Sequence, residues 1–335
     1  MQNQVKKIIV RMPNWVGDVI MALPVLEDIK NNYPNAFISV LINEKHFDLL
    51  KNNDSFSEAL LLKNGSESRK DIIKKIKGIG FDMGVLLTNS FSSAFLFYKA
   101  NIKSIIGYKK DLRGFFLNHA LPFPKEKIHQ IIKYKMLLKP LQIKISSTRP
   151  KLYLNPEELA KAKQMLDKLG FQDGKRLIGI NPLARYGSAK CWEEKNYISV
   201  IEKISSDAKN FIFLTGDEYS QDQINKICRG MPKNVINLAG KTNLRELIAL
   251  INLSDLFITN DSGPMHIASA LQIPLIAIFG STSEILTGPY SNNSIVINKK
   301  VKCSPCYKRK CSKDFCCMKS ISVNEVMDNI NHILK

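Results

Sequence analysis

The chain has 335 residues, 44% of them hydrophobic, and a formal net charge of +19. That length points to two domains of ordinary size, and no apolar run of 18 residues is present, which excludes a transmembrane helix. The charge favours an anionic partner (nucleic acid, an anionic membrane surface, or a phosphorylated or carboxylated substrate), although abundant lysine beside isoleucine and asparagine also fits a compositional bias.

The start, Met1 to Lys7, lacks the charged, apolar and cleavage segments of a signal peptide, so the expected compartment is the cytoplasm. Lys7 to Val10 reads as a strand, followed by the turn Arg11-Met12-Pro13-Asn14. Val25 to Tyr33 and Ser68 to Lys77 have helical periodicity, while Ala36 to Ile42 and Met83 to Thr88 are apolar runs of strand length. Gly78-Ile79-Gly80-Phe81-Asp82-Met83-Gly84 resembles a dinucleotide loop only superficially. Its last spacing is one residue too long, and a strand follows it instead of preceding it. Lys144 to Pro150 is polar and turn-rich, the candidate linker. Asn155-Pro156-Glu157-Glu158 then starts a helix through Leu169, with Asn155 as cap and Pro156 at the first position. Strand candidates in the second half are Leu177 to Ile180, Phe211 to Thr215, Leu256 to Thr259 and Leu275 to Phe279. A last helix spans about Val323 to Leu334. Alternating strands and helices predict an α/β fold with parallel sheets. The expected division is residues 1–150, residues 151–320, and a terminal helix, 321–335, that packs back on the first domain. A site is then expected in a cleft outside the carboxyl ends of the strands. Neither a repeat nor a low-complexity tract is visible.

Several strand ends carry candidate chemistry. Thr259-Asn260-Asp261-Ser262-Gly263-Pro264-Met265-His266 follows a buried strand and opens a helix. Ser262 or Gly263 can cap that helix, Pro264 suits its first position, and its free N–H groups attract phosphate. Asp261 and His266 flank the same spot. Gly17 and Asp18 follow the first strand; Asp18 can accept a proton from an attacking hydroxyl, and it can equally serve as a helix cap. Gly187 and Ser188 make a loop before Lys190, which can meet a phosphate as a point charge or be a plain surface lysine. Gly216 precedes the acids Asp217, Glu218 and Asp222, which suit either ribose hydroxyls or a helix start. There is no Walker A loop, and no Asp-x-Asp for holding a divalent cation on a nucleotide sugar. Seven cysteines are present. Five of them, Cys303, Cys306, Cys311, Cys316 and Cys317, crowd together among basic residues. They form a candidate structural zinc site, with free or redox-sensitive thiols as the alternative.

Four motifs in order resemble the lipopolysaccharide heptosyltransferases of glycosyltransferase family 9. They are Trp15-Val16-Gly17-Asp18, Asn89-Ser90-Phe91-Ser92-Ser93-Ala94, Tyr186-Gly187-x-Ala189-Lys190-x-Trp192 and Asn260-Asp261-Ser262-Gly263-x-Met265-His266. The third resembles the heptosyltransferase II branch more than the I branch; Ile105-Ile106-Gly107-Tyr108 and His129 also fit, and Glu193 replaces a usual proline. The resemblance implies a GT-B fold, two Rossmann-like domains facing across a cleft. It implies inverting transfer of L-glycero-D-manno-heptose from ADP-heptose to the first heptose of the inner core on lipid A, with no cofactor required. Asp18 would be the base. Lys190 and the helix start at Ser262 and Gly263 would stabilise the departing ADP. Gly187, Ser188, Gly216, Asp222, Asp261 and His266 would seat the donor, and Gly17, Asn89, Ser90 and Arg113 would lie on the acceptor side. The implied partners are ADP-heptose, the lipid A-core acceptor and the anionic inner face of the inner membrane. The alternatives are another acceptor, as in heptosyltransferase I or III or a protein, or a basic nucleic-acid-binding protein. The dispersal of the basic residues argues against nucleic acid.

Overall fold

Buried β-branched and aliphatic runs build the sheets. In the computed structural model, which describes residues 5–63 and 69–335, the chain forms two compact units, 1–153 and 154–335. The first unit contains β1 (Lys7–Arg11), β2 (Phe37–Asn43), β3 (Glu58–Leu62), β4 (Met83–Leu86), β5 (Ser104–Tyr108) and β6 (His119–Leu121). Its helices are α1 (Val16–Asn32), α2 (Arg69–Ile79), α3 (Phe91–Lys99) and α4 (Gln130–Met136). Its strands run parallel in the order β3-β2-β1-β4-β5-β6. Ser68, expected to begin α2, and Met1 to Gln4 lie outside the described residues.

The second unit opens with α5 (Pro156–Lys168), where the Asn155 side chain and Glu158 form a reciprocal capping box. Then come β7 (Arg176–Asn181), α6 (Glu194–Ser205), β8 (Asn210–Leu214), α7 (Gln221–Cys228), β9 (Val235–Asn237), α8 (Leu244–Asn252), β10 (Leu256–Asn260), α9 (Gly263–Ala270), β11 (Leu275–Phe279), α10 (Glu284–Thr287), β12 (Ser294–Asn298), α11 (Cys316–Lys319) and α12 (Val323–Ile333). The sheet order is β12-β11-β10-β7-β8-β9, again parallel throughout. Counted from the first strand of each unit, the two orders are the same. Each is the doubly wound order whose winding reverses between the first and fourth strands. Those reversals fall at β1/β4 and at β7/β10, and each of the four motifs follows one of these strands or starts on its last residue.

Two expectations about boundaries change. Lys144 to Pro150 is not a free linker. The buried Lys135 ammonium donates to Ser146 O (3.0 Å), Ser146 Oγ (2.8 Å), Thr148 O (2.7 Å) and Thr148 Oγ1 (2.7 Å). Both hydroxyls in turn reach Asp28 Oδ1, at 2.6 and 2.7 Å. A buried charge needs such a shell, and here the shell fastens the segment into the first unit. The terminal helix α12, expected to pack back on the first domain, buries Val326 and Ile330 in the core of the second unit beside Trp192 and Ile321. Among the described residues, no helix is long and apolar enough to cross a membrane.

Candidate functional site

At the reversal in the second unit, β7 and β10 are neighbours, with Asn181 opposite Thr259. Asn181 Nδ2 donates to Thr259 Oγ1 (3.1 Å) and to Ser262 Oγ (2.9 Å). Ser262 occupies the N-cap position of α9, but its hydroxyl makes no cap bond to the helix. That leaves the N–H groups of the first turn for another acceptor. Gly263 begins the helix, so Pro264 stands second, not first. Asn260 is buried and ties the loop after β7 to this strand end. Its Oδ1 accepts from Trp192 N (3.1 Å) and Tyr197 Oη (3.1 Å), and its Nδ2 donates to Pro182 O (2.6 Å).

That bracing brings Lys190 onto Asp261. The Nζ to Oδ2 distance is 2.5 Å, and Thr282 Oγ1 donates to the same oxygen at 2.5 Å. Lys190 Nζ also lies 4.7 Å from the centroid of the Tyr186 ring, an attractive cation–π placement. A cation is thus held beside an open helix N-terminus. His266, in the same first turn, is buried. Gly187 and Ser188 precede Lys190 in a turn pinned from behind: Ala189 N donates to Arg309 O at 3.1 Å, and Tyr186 Oη to Tyr307 O at 2.7 Å. Gly216 follows β8, where a Cβ would meet Ile224 Cδ1 at 2.7 Å. Asp222 stands exposed in the first turn of α7, where a carboxylate complements the helix dipole.

The cysteine loop does not gather its side chains as the candidate zinc site would need. Among the described residues, no three His, Cys, Asp or Glu side chains are grouped to hold a metal. Cys303 and Cys316 Sγ are 3.5 Å apart, and Cys311 Sγ accepts from Lys313 N and Phe315 N. Cys317 is buried against Gly280. The loop buttresses the site instead: Cys306 N (3.1 Å) and Tyr307 N (2.7 Å) donate to Ser281 O, next to Thr282.

In the first unit, Asp18 lies in the first turn of α1, a half-buried carboxylate, and Trp15 takes the N-cap position without a side-chain bond. Gly17 precedes it. The Tyr134 hydroxyl donates to Asp18 Oδ1 at 3.4 Å. Burial, and then the Asp18 charge, push the Tyr134 phenol well above its ordinary pKa, so it stays a donor. The turn before α1 is fixed by Arg11, whose guanidinium donates to Met12 O, to Leu41 O (3.2 Å) and to Asn14 Oδ1 (2.7 Å). Burial lowers the Arg11 pKa to about 10. After β4, Ser90 caps α3 through Ser93 N. Arg113 departs from the expectation that it faces an acceptor. It is fully buried, and its guanidinium donates to Tyr108 O (2.8 Å), to Thr88 O and to Asn89 Oδ1 (3.2 Å). Burial lowers its pKa to about 10, against an opposing pull from Asp111. Its place is behind Asn89, holding it.

Sequence reading missed Asn181, Thr282, Tyr134 and Arg11. For Asn181 a signal existed, a polar residue ending an apolar strand. Thr282 and Tyr134 reach their carboxylates only through the tertiary fold.

The family model for glycosyltransferase family 9 (heptosyltransferase) matches residues 69–316. The lipooligosaccharide heptosyltransferase 2 of Campylobacter jejuni is 29% identical, covering 98% of this chain and 99% of its own. The lipopolysaccharide heptosyltransferase 3 of Escherichia coli is 29% identical, covering 83% of this chain and 85% of its own. The solved structure of E. coli ADP-heptose lps heptosyltransferase II superposes with a TM-score of 0.83 at 25% identity, covering 98% of each chain.

Proposed function

This chain belongs to glycosyltransferase family 9, and on that premise we propose that it moves L-glycero-D-manno-heptose from ADP-heptose to the first heptose of the lipopolysaccharide inner core, with inversion. The observation that carries this reading is the Lys190–Asp261 pair, 2.5 Å apart beside the uncapped first turn of α9. A diphosphate leaving group needs fixed positive charge where its negative charge develops, and no Asp-x-Asp is present to supply it through a metal. Lys190, together with the N–H groups around Ser262 and Gly263, meets that need. Gly187, Ser188, Gly216, Asp222 and His266 are the remaining donor-side residues in this reading.

The acceptor hydroxyl gives its proton to the Asp18 carboxylate. Its oxygen then bonds to the anomeric carbon of the heptose as the bond to the β-phosphate oxygen breaks. The leaving electron pair stays on ADP, where Lys190 balances it. Tyr134 orients the base, and Gly17, Asn89 and Ser90 receive the acceptor sugar. Association with an anionic membrane surface belongs to the same reading, since the acceptor carries lipid.

Relatives named heptosyltransferase 2 and 3 occur at equal identity, so the acceptor is the open variable. Turnover of ADP-heptose against Kdo2-lipid A, its monoheptosyl form and its diheptosyl form decides it. The expected result is selective use of the monoheptosyl acceptor; preference for either of the others moves the enzyme to a different step. In the same assay Asp18→Asn should lower turnover by about 10²- to 10⁴-fold, the usual contribution of a general base. Its affinity for ADP should not change, and near-normal turnover would remove Asp18 from the role.

A further inference from the structure

The exposed apolar residues on α3 and in the loop after β5 are out of place for a soluble face. Phe115 is 91% exposed, Leu112 83%, Tyr98 52% and Phe91 47%. They are not scattered. The Phe116 ring lies 5.2 Å from Phe91, 5.6 Å from Phe95 and 5.2 Å from Tyr98, so one aromatic cluster joins the helix to the loop. Beside it, Tyr98, Ile102, Phe115 and Phe116 border a recess of about 250 Å³. Leu112 follows Asp111, and both adopt left-handed backbone, with φ of 55° and 51°. That conformation is unfavourable for leucine, yet here it presents an apolar side chain to the outside. An exposed apolar patch of this kind marks a binding surface.

Its rim is basic. Residues 101–150 hold eleven Lys and Arg against two Asp and Glu, nearly half of the whole chain's surplus of positive charge. Arg113, Lys133 and Lys135 are buried, but Lys99 stands exposed at the cluster, and Lys109 and Lys110 stand exposed in the loop that carries Leu112 and Phe115, Lys110 with its ammonium 5.0 Å from the Phe123 ring centroid. Lys99 Nζ sits 5.5 Å from the Phe95 ring centroid. Apolar and aromatic side chains inside a lysine rim fit the interface of an anionic bilayer, where rings sit among the headgroups and ammonium groups meet lipid phosphate.

We propose that this face, with Phe115 and Leu112 inserted and Lys99, Lys109 and Lys110 on lipid phosphate, docks the enzyme on an anionic phospholipid membrane. The inference deepens, and rests on, the reading of a lipid-borne acceptor. The structure ties the two together: Phe91 directly follows Asn89 and Ser90, and buried Arg113, between Leu112 and Phe115, donates to Asn89 Oδ1 at 3.2 Å. The docking loop and an acceptor-side residue are therefore held by one guanidinium.

The full chain, with neither donor nor acceptor present, is sedimented with phosphatidylglycerol-containing vesicles and with pure phosphatidylcholine vesicles. The wild type should bind the anionic vesicles, more weakly at high salt. Leu112→Ser with Phe115→Ser should reduce binding by about tenfold or more, the effect of withdrawing two large apolar side chains. Lys109→Gln and Lys110→Gln should each cost roughly fivefold, since a basic residue near an anionic surface contributes about that factor. Phe115→Trp gives a gain of signal, an indole quenched by brominated lipid. Failure of the wild type to bind anionic vesicles, or equal binding by the variants, overturns the proposal. So does a change in molecular mass of the Leu112/Phe115 variant in light scattering, which would make the patch an interface between copies. Transfer to a deacylated acceptor, assayed separately, tests the heptosyltransferase reading; its failure with vesicle binding intact leaves the surface standing.

Discussion

Gly187 has φ of 152°, and a Cβ placed on it would lie 2.3 Å from the carbonyl oxygen of Arg309. From sequence, Gly187-Ser188 reads as a flexible loop. Its glycine is in fact required by a close backbone approach, from a segment much later in the chain. Gly187→Ala should destabilise the fold by about 2–3 kcal/mol, through strained backbone and a displaced neighbour. It should also raise KM for ADP-heptose, because Lys190 is carried by the same turn. Thermal unfolding and donor-dependent kinetics check both; a variant with parental stability would show the 307–309 backbone able to retreat. Asp261 and His266, read alone, could be a catalytic pair. Asp261 is occupied by Lys190 and Thr282, which suits a residue that positions a cation more than one that takes a proton. Asp18 was legible as a carboxylate at a strand end, but its Tyr134 partner was not, because a hydrogen bond between α1 and α4 leaves no mark in local sequence.

At the scale of elements, long and strongly patterned segments were readable and edge strands were not. The helix begun by Asn155 and Pro156, and the strands β1, β2, β4, β7, β8, β10 and β11, are announced by buried apolar runs or capping residues. Of the five strands not anticipated, β3, β6, β9 and β12 are sheet edges and only β5 is interior. Edge strands are short or half-exposed, and they lack the continuous apolar run of a strand covered on both faces. The terminal helix is amphipathic in sequence, but its partner is a tertiary fact. Val326 and Ile330 join the second core, and Trp192 Nε1 donates to Ile321 O at 3.1 Å. Ending the chain after Ser320 should cost about 3–6 kcal/mol from those two side chains alone, at roughly 1.5–3 kcal/mol each. The expected outcome is an aggregating or unfolded second unit, seen by circular dichroism and loss of ADP binding. Unchanged melting would mean that the helix is dispensable to that core.

The molecule as a whole is two copies of one topology with no visible sequence repeat. Strand order depends on the hand of the crossovers and on which apolar faces meet, and many sequences satisfy those demands. Each unit keeps its own core: Ile9, Leu41 and Phe97 belong to the first, and Ile178, Ile258 and Trp192 to the second. Residues 154–335 expressed alone should therefore fold and bind ADP with an affinity close to that of the full chain, measured by calorimetry. Absence of binding by a folded fragment would place part of the donor seat in residues 1–153.

By itself the sequence determined the fold class, the family and four strand ends with candidate chemistry, because periodicity, capping and motif spacing are local properties. The tertiary structure alone decided which partners each candidate side chain meets. It turned Arg113 inward behind Asn89, set Lys190 on Asp261, placed the cysteine loop against Ser281 and made Lys144 to Pro150 part of the first unit. All of these depend on side chains far apart in the chain competing for the same buried partners, and local sequence does not record which one wins.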